Sequence, residues 1–322
     1  MPVIQVILFS MNIYIHTLLN PALSASITDS FGQHHRITFR TEQAVPQSPP
    51  ENFLDADAIL GNPPLVWFEN AQARNLKFWQ LDSAGFDQYR QADTNAKVAN
   101  MGDWFARPCA ETIVGGILAL YRGLNKLAVL QKEKKWVGTP IRGELGLLYR
   151  KNVAVLGSGT IGLAVRSILS GFGTNTKLVA RSSAEADIHS REALFEILPF
   201  TDIVINTLPG AAGKYVDDDF LQAMKKGSVY ANVGRGSTTD EQALIRLLKN
   251  GDLAGAVLDV TEKEPIPSEN PLWEMDNVIL TQHSGGGQAN EDSGKAANFI
   301  ENFSRFLKGE KILFEVSLSR GY

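Results

Sequence analysis

Three charged residues stand in series, each just past an apolar run in the C-terminal half of the chain. Arg235 follows "SVYANVG" and sits between two glycines, Glu264 follows "AGAVLDV" in "TEKEP", and His283 closes "NVILTQH". A guanidinium is a planar fork of donors suited to an anion, and an imidazole can give or take a proton near neutral pH. Singly these types say little, since surface arginines and glutamates are common and a lone histidine is more often structural. Their serial placement says more, because ligands bind at the carboxyl ends of strands in open α/β sheets. After His283 come one serine and then Gly285, Gly286 and Gly287. Such a run predicts backbone that turns tightly or lies close against another segment or a ligand.

A second constellation precedes the first. "VAVLGSGTIG" places Gly157, Gly159 and Gly162 in the G-x-G-x-x-G pattern, with Thr160 and Ile161 opening a helix. The first glycine permits a tight turn, the second lets backbone approach a pyrophosphate, and the third lets helix and strand pack closely. Unpaired amides at the helix start then face the phosphates. The pattern alone is weak, but between a strand and a helix in a β/α series it predicts a dinucleotide site. The next strand ends "LVARSS", so Arg181 and Ser182 occupy the place where an acid would bind the ribose hydroxyls of NAD. A guanidinium and hydroxyls suit a 2′-phosphate, so NADP(H) is expected to be preferred, with NAD(H) possible.

These segments resemble the D-isomer-specific 2-hydroxyacid dehydrogenases over almost the whole chain. "LKFWQLDSAGFDQY" is similar to the family's substrate loop, "GSGTIG" to its cofactor loop, and "NVGRGSTTDEQAL" with "LDVTEKEPIPSENPLWEMDNVILTQH" to its catalytic segments. The ending "VSLSRGY" and the Arg181-Ser182 strand end resemble the glyoxylate/hydroxypyruvate reductase branch. The resemblance implies that Arg235 binds a substrate carboxylate and polarises its 2-oxo group, with backbone amides at Ala84 and Gly85 holding the same carboxylate. It implies that His283 donates a proton as hydride arrives, and that Glu264 orients the ring and favours its protonated form. Leu208 and Pro209 would lie against the cofactor, and Asp259 would bind the nicotinamide amide unless it serves only its loop. A homodimer built around a long connector helix is implied as well. Gln282 departs from the family, which usually has proline there, and "TLPGAAGKY" lacks the threonines common after Pro209. A dinucleotide-sensing, corepressor-like binding protein without turnover is the competing reading.

The elements that must position these groups form two β/α series. In the first, "VIQVILFS", "HRITFRT", "ADAILGN", "LKFWQL" and "KVANM" read as strands. In the second, "NVAVLG", "TKLVA", "DIVINTL", "SVYANV", "AGAVLDV" and "NVILTQH" are continuously apolar, as parallel strands covered on both faces should be. Helices such as "DEQALIRLLKNG", acidic at the start and closed by Lys249 and Gly251, alternate with them. The expected fold is α/β, with two doubly wound parallel-sheet domains and a cleft between them. Residues 1–104 plus 290–322 would form a flavodoxin-like substrate domain, and 105–289 a Rossmann cofactor domain. "RPCAETIVGGILALYRGLNKLAVLQKEKKW" reads as one long connecting helix with Pro108 in its first turn, and "KAANFIENFSRFLKG" as a helix returning to the first domain.

Composition excludes several alternatives. The 322 residues, 44% hydrophobic and 20% charged with net charge −4, describe an ordinary globular protein of two domains. They carry no basic block for nucleic acid. No apolar run reaches the about 18 residues of a membrane span, and the apolar start has neither a basic flank nor a small-residue cleavage site. Cytoplasmic residence is expected. The single cysteine, Cys109, excludes an internal disulfide and reads as buried filler, while Trp136 could line the site, the core or a dimer contact. No metal set is expected.

Overall fold

Short β-branched and aromatic runs become the strands of two separate sheets. The computed structural model describes residues 10–71 and 73–320, with backbone alone at 70 and 71. Two units have dense internal contacts, Met1–Trp104 with Gln288–Tyr322, and Phe105–Gly287.

In the first unit, β1 (Asn12–Ile15), α1 (Pro21–Phe31), β2 (Arg36–Phe39), α2 (Glu51–Leu54), β3 (Ala58–Leu60), β4 (Phe78–Gln80) and β5 (Lys97–Ala99) alternate with turns. The opening strand expected over "VIQVILFS" lies, apart from Ser10, outside the described residues. The first described strand is β1, whose Ile13, Tyr14 and Ile15 are all buried. The Asn20 side chain accepts from the Leu23 amide and Pro21 occupies the first turn, which fixes the start of α1.

The second unit begins with α3 (Ala106–Tyr121) and α4 (Leu124–Lys132). The connector is thus two helices, bent by 71° where one had been expected. Gly123, at φ +62°, takes the left-handed conformation that stops α3, and glycine does so without steric cost. Among the described residues no single helix is long and apolar enough to cross a membrane. The sheet follows as β6 (Asn152–Leu156), α5 (Thr160–Ser170), β7 (Asn175–Val179), α6 (Arg191–Ile197), β8 (Ile203–Asn206), α7 (Asp218–Ala223), β9 (Ser228–Asn232), α8 (Glu241–Lys249), β10 (Leu253–Leu258) and β11 (Val278–Leu280). All pairings are parallel, in the order β11-β10-β9-β8-β6-β7. The order reverses beside β6, so the loop after β6 opens at the switch point where such sheets take ligands.

The chain returns to the first unit through α9 (Glu291–Leu307) and β12 (Glu315–Val316). Phe299, Phe303 and Phe306 recur at helical spacing on α9 and meet Phe31 and Phe78, with ring centroids 5.0–6.1 Å apart. The first sheet runs β12-β5-β4-β3-β1-β2, parallel except for the antiparallel edge strand β12.

Candidate active site

The loop after β6 is built as its glycines require. Gly157 sits at φ +105°, and a Cβ there would come within 2.6 Å of the Thr207 hydroxyl. A Cβ on Gly162 would meet the Gly157 carbonyl at 2.2 Å, so the first turn of α5 packs directly on the loop. Nothing in the fold crowds Gly159, where a Cβ would have no neighbour within 4 Å. Gly159 caps α5 without a side chain, leaving the first amides of the helix free of side-chain acceptors. Thr160 is exposed at this start, while Ile161 turns onto the core between α3 and α5. A glycine with no internal reason, beside uncapped amides at the switch point, fits a bound pyrophosphate. Arg181 and Ser182 are exposed just past β7, on the strand neighbouring this loop.

Arg235 leaves β9 in a loop pinned on both sides. A Cβ on Gly234 would lie 2.4 Å from the Leu208 carbonyl, and one on Gly236 would lie 1.8 Å from the Thr261 carbonyl. The two glycines therefore let the arginine loop lie between the Leu208–Pro209 loop after β8 and the Thr261–Glu264 loop after β10. Arg235 is half-buried, and its Nη1 donates to the Gly234 carbonyl at 2.9 Å.

Asp259, just past β10, is 4% exposed. Its Oδ1 accepts from the Thr281 hydroxyl at 2.6 Å and from the amides of Ser284 and Gly285 at 3.1 and 2.9 Å. The His283 amide donates to the Asp259 carbonyl. One aspartate thus clamps both sides of the histidine, and a Cβ on Gly285 would lie 2.7 Å from its Oδ2. Close approach to Asp259 explains at least that glycine of the run. Gln282 and His283 both adopt left-handed backbone, at φ +56° and +53°. His283 Nδ1 lies 2.6 Å from Glu264 Oε2, while Glu264 Oε1 accepts from the Thr261 amide at 3.0 Å. The ring stays half-exposed, beside a cavity of about 420 Å³ walled by Pro265, Ile266, Trp273 and Leu280.

Ala84 and Gly85 lie in the first unit, after β4. Their carbonyls accept from the Asn100 side chain at 2.7 Å and the Ser83 hydroxyl at 2.7 Å. Among the described residues their amides donate to no protein group, so these donors remain available to an anion.

Sequence reasoning missed Glu241. It reads as an ordinary acidic residue in the first turn of α8, yet it is 7% exposed. Its Oε2 accepts from the Glu262 amide and its Oε1 from Asn270 Nδ2, both at 2.8 Å, bracing the loop that carries Glu264. Missed as well is a buried polar cluster under Arg235, made by Asn206, Tyr230, Asn232, Thr238 and Thr239. Cys109 is buried, and burial first, then the Asp259 charge, pushes its thiol up to about 12, so it is no nucleophile. Trp136 is 96% exposed and therefore not a core residue.

The chain is similar to known proteins in sequence and in fold. The family description "D-isomer specific 2-hydroxyacid dehydrogenase, NAD binding domain" matches residues 114–285. A Corynebacterium melassecola protein, described as an uncharacterized protein in the proB 3′ region, is 31% identical over 285 residues, covering 84% of this chain and 92% of its own. Glyoxylate/hydroxypyruvate reductase B of Serratia proteamaculans is 34% identical over 249 residues, covering 74% of this chain and 77% of its own. The crystal structure of an NADPH-dependent glyoxylate/hydroxypyruvate reductase from Sinorhizobium meliloti, in complex with NADP and malonate, superposes with TM-score 0.77. It is 25% identical and covers 95% of this chain and 97% of that one.

Proposed function

Because this chain belongs to the D-isomer-specific 2-hydroxyacid dehydrogenases and is an NAD(P)-dependent dehydrogenase, we propose that it reduces a small 2-oxo acid of the glyoxylate or hydroxypyruvate type, with NADPH as the preferred reductant. The observation that carries the reading is the 2.6 Å contact between His283 Nδ1 and Glu264 Oε2 at the ends of adjacent parallel strands. With Nδ1 occupied by the carboxylate, Nε2 is the ring atom that presents a proton outward. His283 gives that proton to the 2-oxo oxygen as charge develops on it, and Glu264, held against Nδ1, fixes the tilt of the ring. Arg235 binds the substrate carboxylate through its guanidinium fork. The reduced nicotinamide, when bound, supplies the hydride. Gly157, Gly159, Thr160, Ile161 and Gly162 would hold its pyrophosphate through the loop and the first amides of α5, Leu208 and Pro209 would lie against it, and Arg181 with Ser182 would take the 2′-phosphate. Asp259, whose Oδ2 takes none of the three bonds that Oδ1 accepts, would bind the nicotinamide amide. The Serratia and Sinorhizobium enzymes, both glyoxylate/hydroxypyruvate reductases and the latter NADPH-dependent, support this choice of substrate and reductant.

The exposed apolar side chains of α4 and the turn after it, Leu124, Leu127, Val129 and Trp136, suit a second copy of the chain. The test of the function is steady-state kinetics with glyoxylate, hydroxypyruvate and pyruvate, using NADPH and NADH. Wild type turns over at least one acid, and His283→Ala lowers kcat by roughly 10²–10⁴-fold with little change in NADPH affinity. Equal turnover by the variant removes His283 from the proton-donor role.

A further inference from the structure

A tyrosine in the middle of a fully buried parallel strand needs a reason, because a hydroxyl taken out of water costs free energy unless it finds partners. Tyr230, on β9, is 0% exposed, and its hydroxyl lies 2.9 Å from Asn206 Nδ2 and 2.5 Å from the Thr239 hydroxyl. Asn206 ends the neighbouring strand β8 and is also fully buried. Its Oδ1 accepts from the Leu208 amide at 3.0 Å, which fixes the amide orientation and leaves Nδ2 donating to Tyr230 and, at 2.8 Å, to the Thr238 hydroxyl. The tyrosine oxygen accepts from Asn206 and shares a second hydrogen bond with the Thr239 hydroxyl, in which either oxygen can be the donor. Burial pushes the phenol up to about 12, so the hydroxyl stays neutral through the ordinary pH range.

The same groups reach the substrate arginine. Thr238 donates to the Arg235 carbonyl at 2.5 Å. Asn232 Nδ2 donates to that carbonyl at 3.2 Å and to Thr239 at 3.1 Å, and its Oδ1 accepts from the Gly234 amide at 2.9 Å. Every hydrogen-bonding atom of both asparagine side chains is therefore used. At one end they hold the Leu208–Pro209 loop, and at the other the Gly234–Arg235 loop.

We propose that Tyr230, with Asn206, Asn232, Thr238 and Thr239, is a positioning brace that couples the Leu208–Pro209 cofactor loop to the Arg235 substrate loop, so that dinucleotide and 2-oxo acid carboxylate bind cooperatively. The proposal rests on the reductase reading given above and adds residues that touch neither ligand. The Leu208 loop is held by Asn206 and the Arg235 loop by Asn232 and Thr238, and these side chains are joined directly by the Asn206–Thr238 bond and through Tyr230 and Thr239, so groups within one such network do not act independently. Coupling of this kind is reciprocal: the factor by which a carboxylate tightens dinucleotide binding equals the factor by which the dinucleotide tightens the carboxylate.

The experiment uses the full chain, with NADPH and oxalate as an unreactive carboxylate. NADPH affinity is measured by fluorescence titration with and without saturating oxalate, and turnover of glyoxylate or hydroxypyruvate is measured in parallel. In wild type oxalate tightens NADPH several-fold. Tyr230→Phe keeps the ring and removes the hydroxyl, leaving an Asn206 N–H buried without its acceptor. Its coupling factor falls, the Asn206–Thr238 link alone remaining, and its KM for the 2-oxo acid rises about tenfold, with a smaller change in NADPH affinity measured alone. Thr239→Val acts in the same direction, while Thr239→Ser, which keeps the hydroxyl, restores the coupling. If Tyr230→Phe does not fold, the Thr239 pair carries the test. A wild-type coupling factor of one, or a factor unchanged in Tyr230→Phe or in Thr239→Val, overturns the brace while normal turnover leaves the reductase reading standing. Absence of turnover with every 2-oxo acid overturns that reading instead.

Discussion

The proposed preference for NADPH comes down to one side chain, Arg181. It is exposed just past β7, next to the strand whose loop carries Gly157, and Ser182 beside it is exposed too. No carboxylate stands at Arg181 or Ser182 to repel a 2′-phosphate, and a guanidinium binds a phosphate through paired, charge-assisted donors. Such hydrogen bonds contribute about 1.5–3 kcal/mol each. Arg181→Ala is therefore expected to lower kcat/KM for NADPH by roughly tenfold or more relative to NADH, with NADH kinetics nearly unchanged. The measurement is the NADPH/NADH ratio of kcat/KM in wild type and variant; an unchanged ratio means that the phosphate is held elsewhere. Asp259 shows the complementary case, in which a residue assigned one role by resemblance also carries another. Its Oδ1 is committed to Thr281, Ser284 and Gly285, so it shapes the histidine loop whatever its second oxygen binds.

At the scale of elements, the turn that presents His283 is the clearest departure from the family pattern. Proline, usual at position 282 in the family, is locked near φ −65°, whereas Gln282 sits at φ +56°. Gln282→Pro, which would restore the family residue, is thus expected to disrupt this turn, lowering kcat at least tenfold and the melting temperature by a few degrees. Gln282→Gly relieves left-handed strain of about 1 kcal/mol and should raise the melting temperature slightly. Full activity of Gln282→Pro would show that the left-handed turn is not what presents the imidazole. Much of this architecture could be read beforehand. Most strands of the second sheet lie in apolar runs, the glycine pattern follows the first of them, and Arg235 and Glu264 follow buried strands, although β11 before His283 is only half-buried and β7 opens with polar residues. What could not be read depends on neighbours remote in sequence. Tyr230 looks like one more apolar strand residue, because its partner Asn206 lies on another strand. Glu241 resembles any acidic helix start until its contact with the Glu262 amide is known. The break at Gly123 was hidden because apolar spacing continues on both sides, and a single glycine within a helical pattern is compatible with either outcome.

The whole chain folds as two units with separate cores, and acid should act on them differently. In the first unit His16, at the end of β1, is 4% exposed and stands edge-on to Trp67 with ring centroids 5.4 Å apart. Its Nδ1 has no hydrogen-bond partner among the described residues. Burial, with the Arg40 charge adding to it, lowers its pKa to about 4. The folded value lies below the unfolded value of about 6.5, so between the two the unfolded chain binds more protons. The His16 contribution to the stability of this unit is therefore fully present above about pH 6.5 and is lost as pH falls toward about 4, by on the order of 3 kcal/mol. Asp82, in the same unit, works the other way: burial raises its carboxyl, so in its own range acid favours the folded form. Comparison of wild type with His16→Leu separates the two, since only the histidine contribution is removed. Trp67 and Trp79 are both fully buried in the first unit, so tryptophan emission follows its unfolding. Urea midpoints read by that emission should fall more steeply between pH 6.5 and 4 in wild type than in His16→Leu. Parallel curves would mean that the imidazole accepts its proton in the folded state as readily as in the unfolded one.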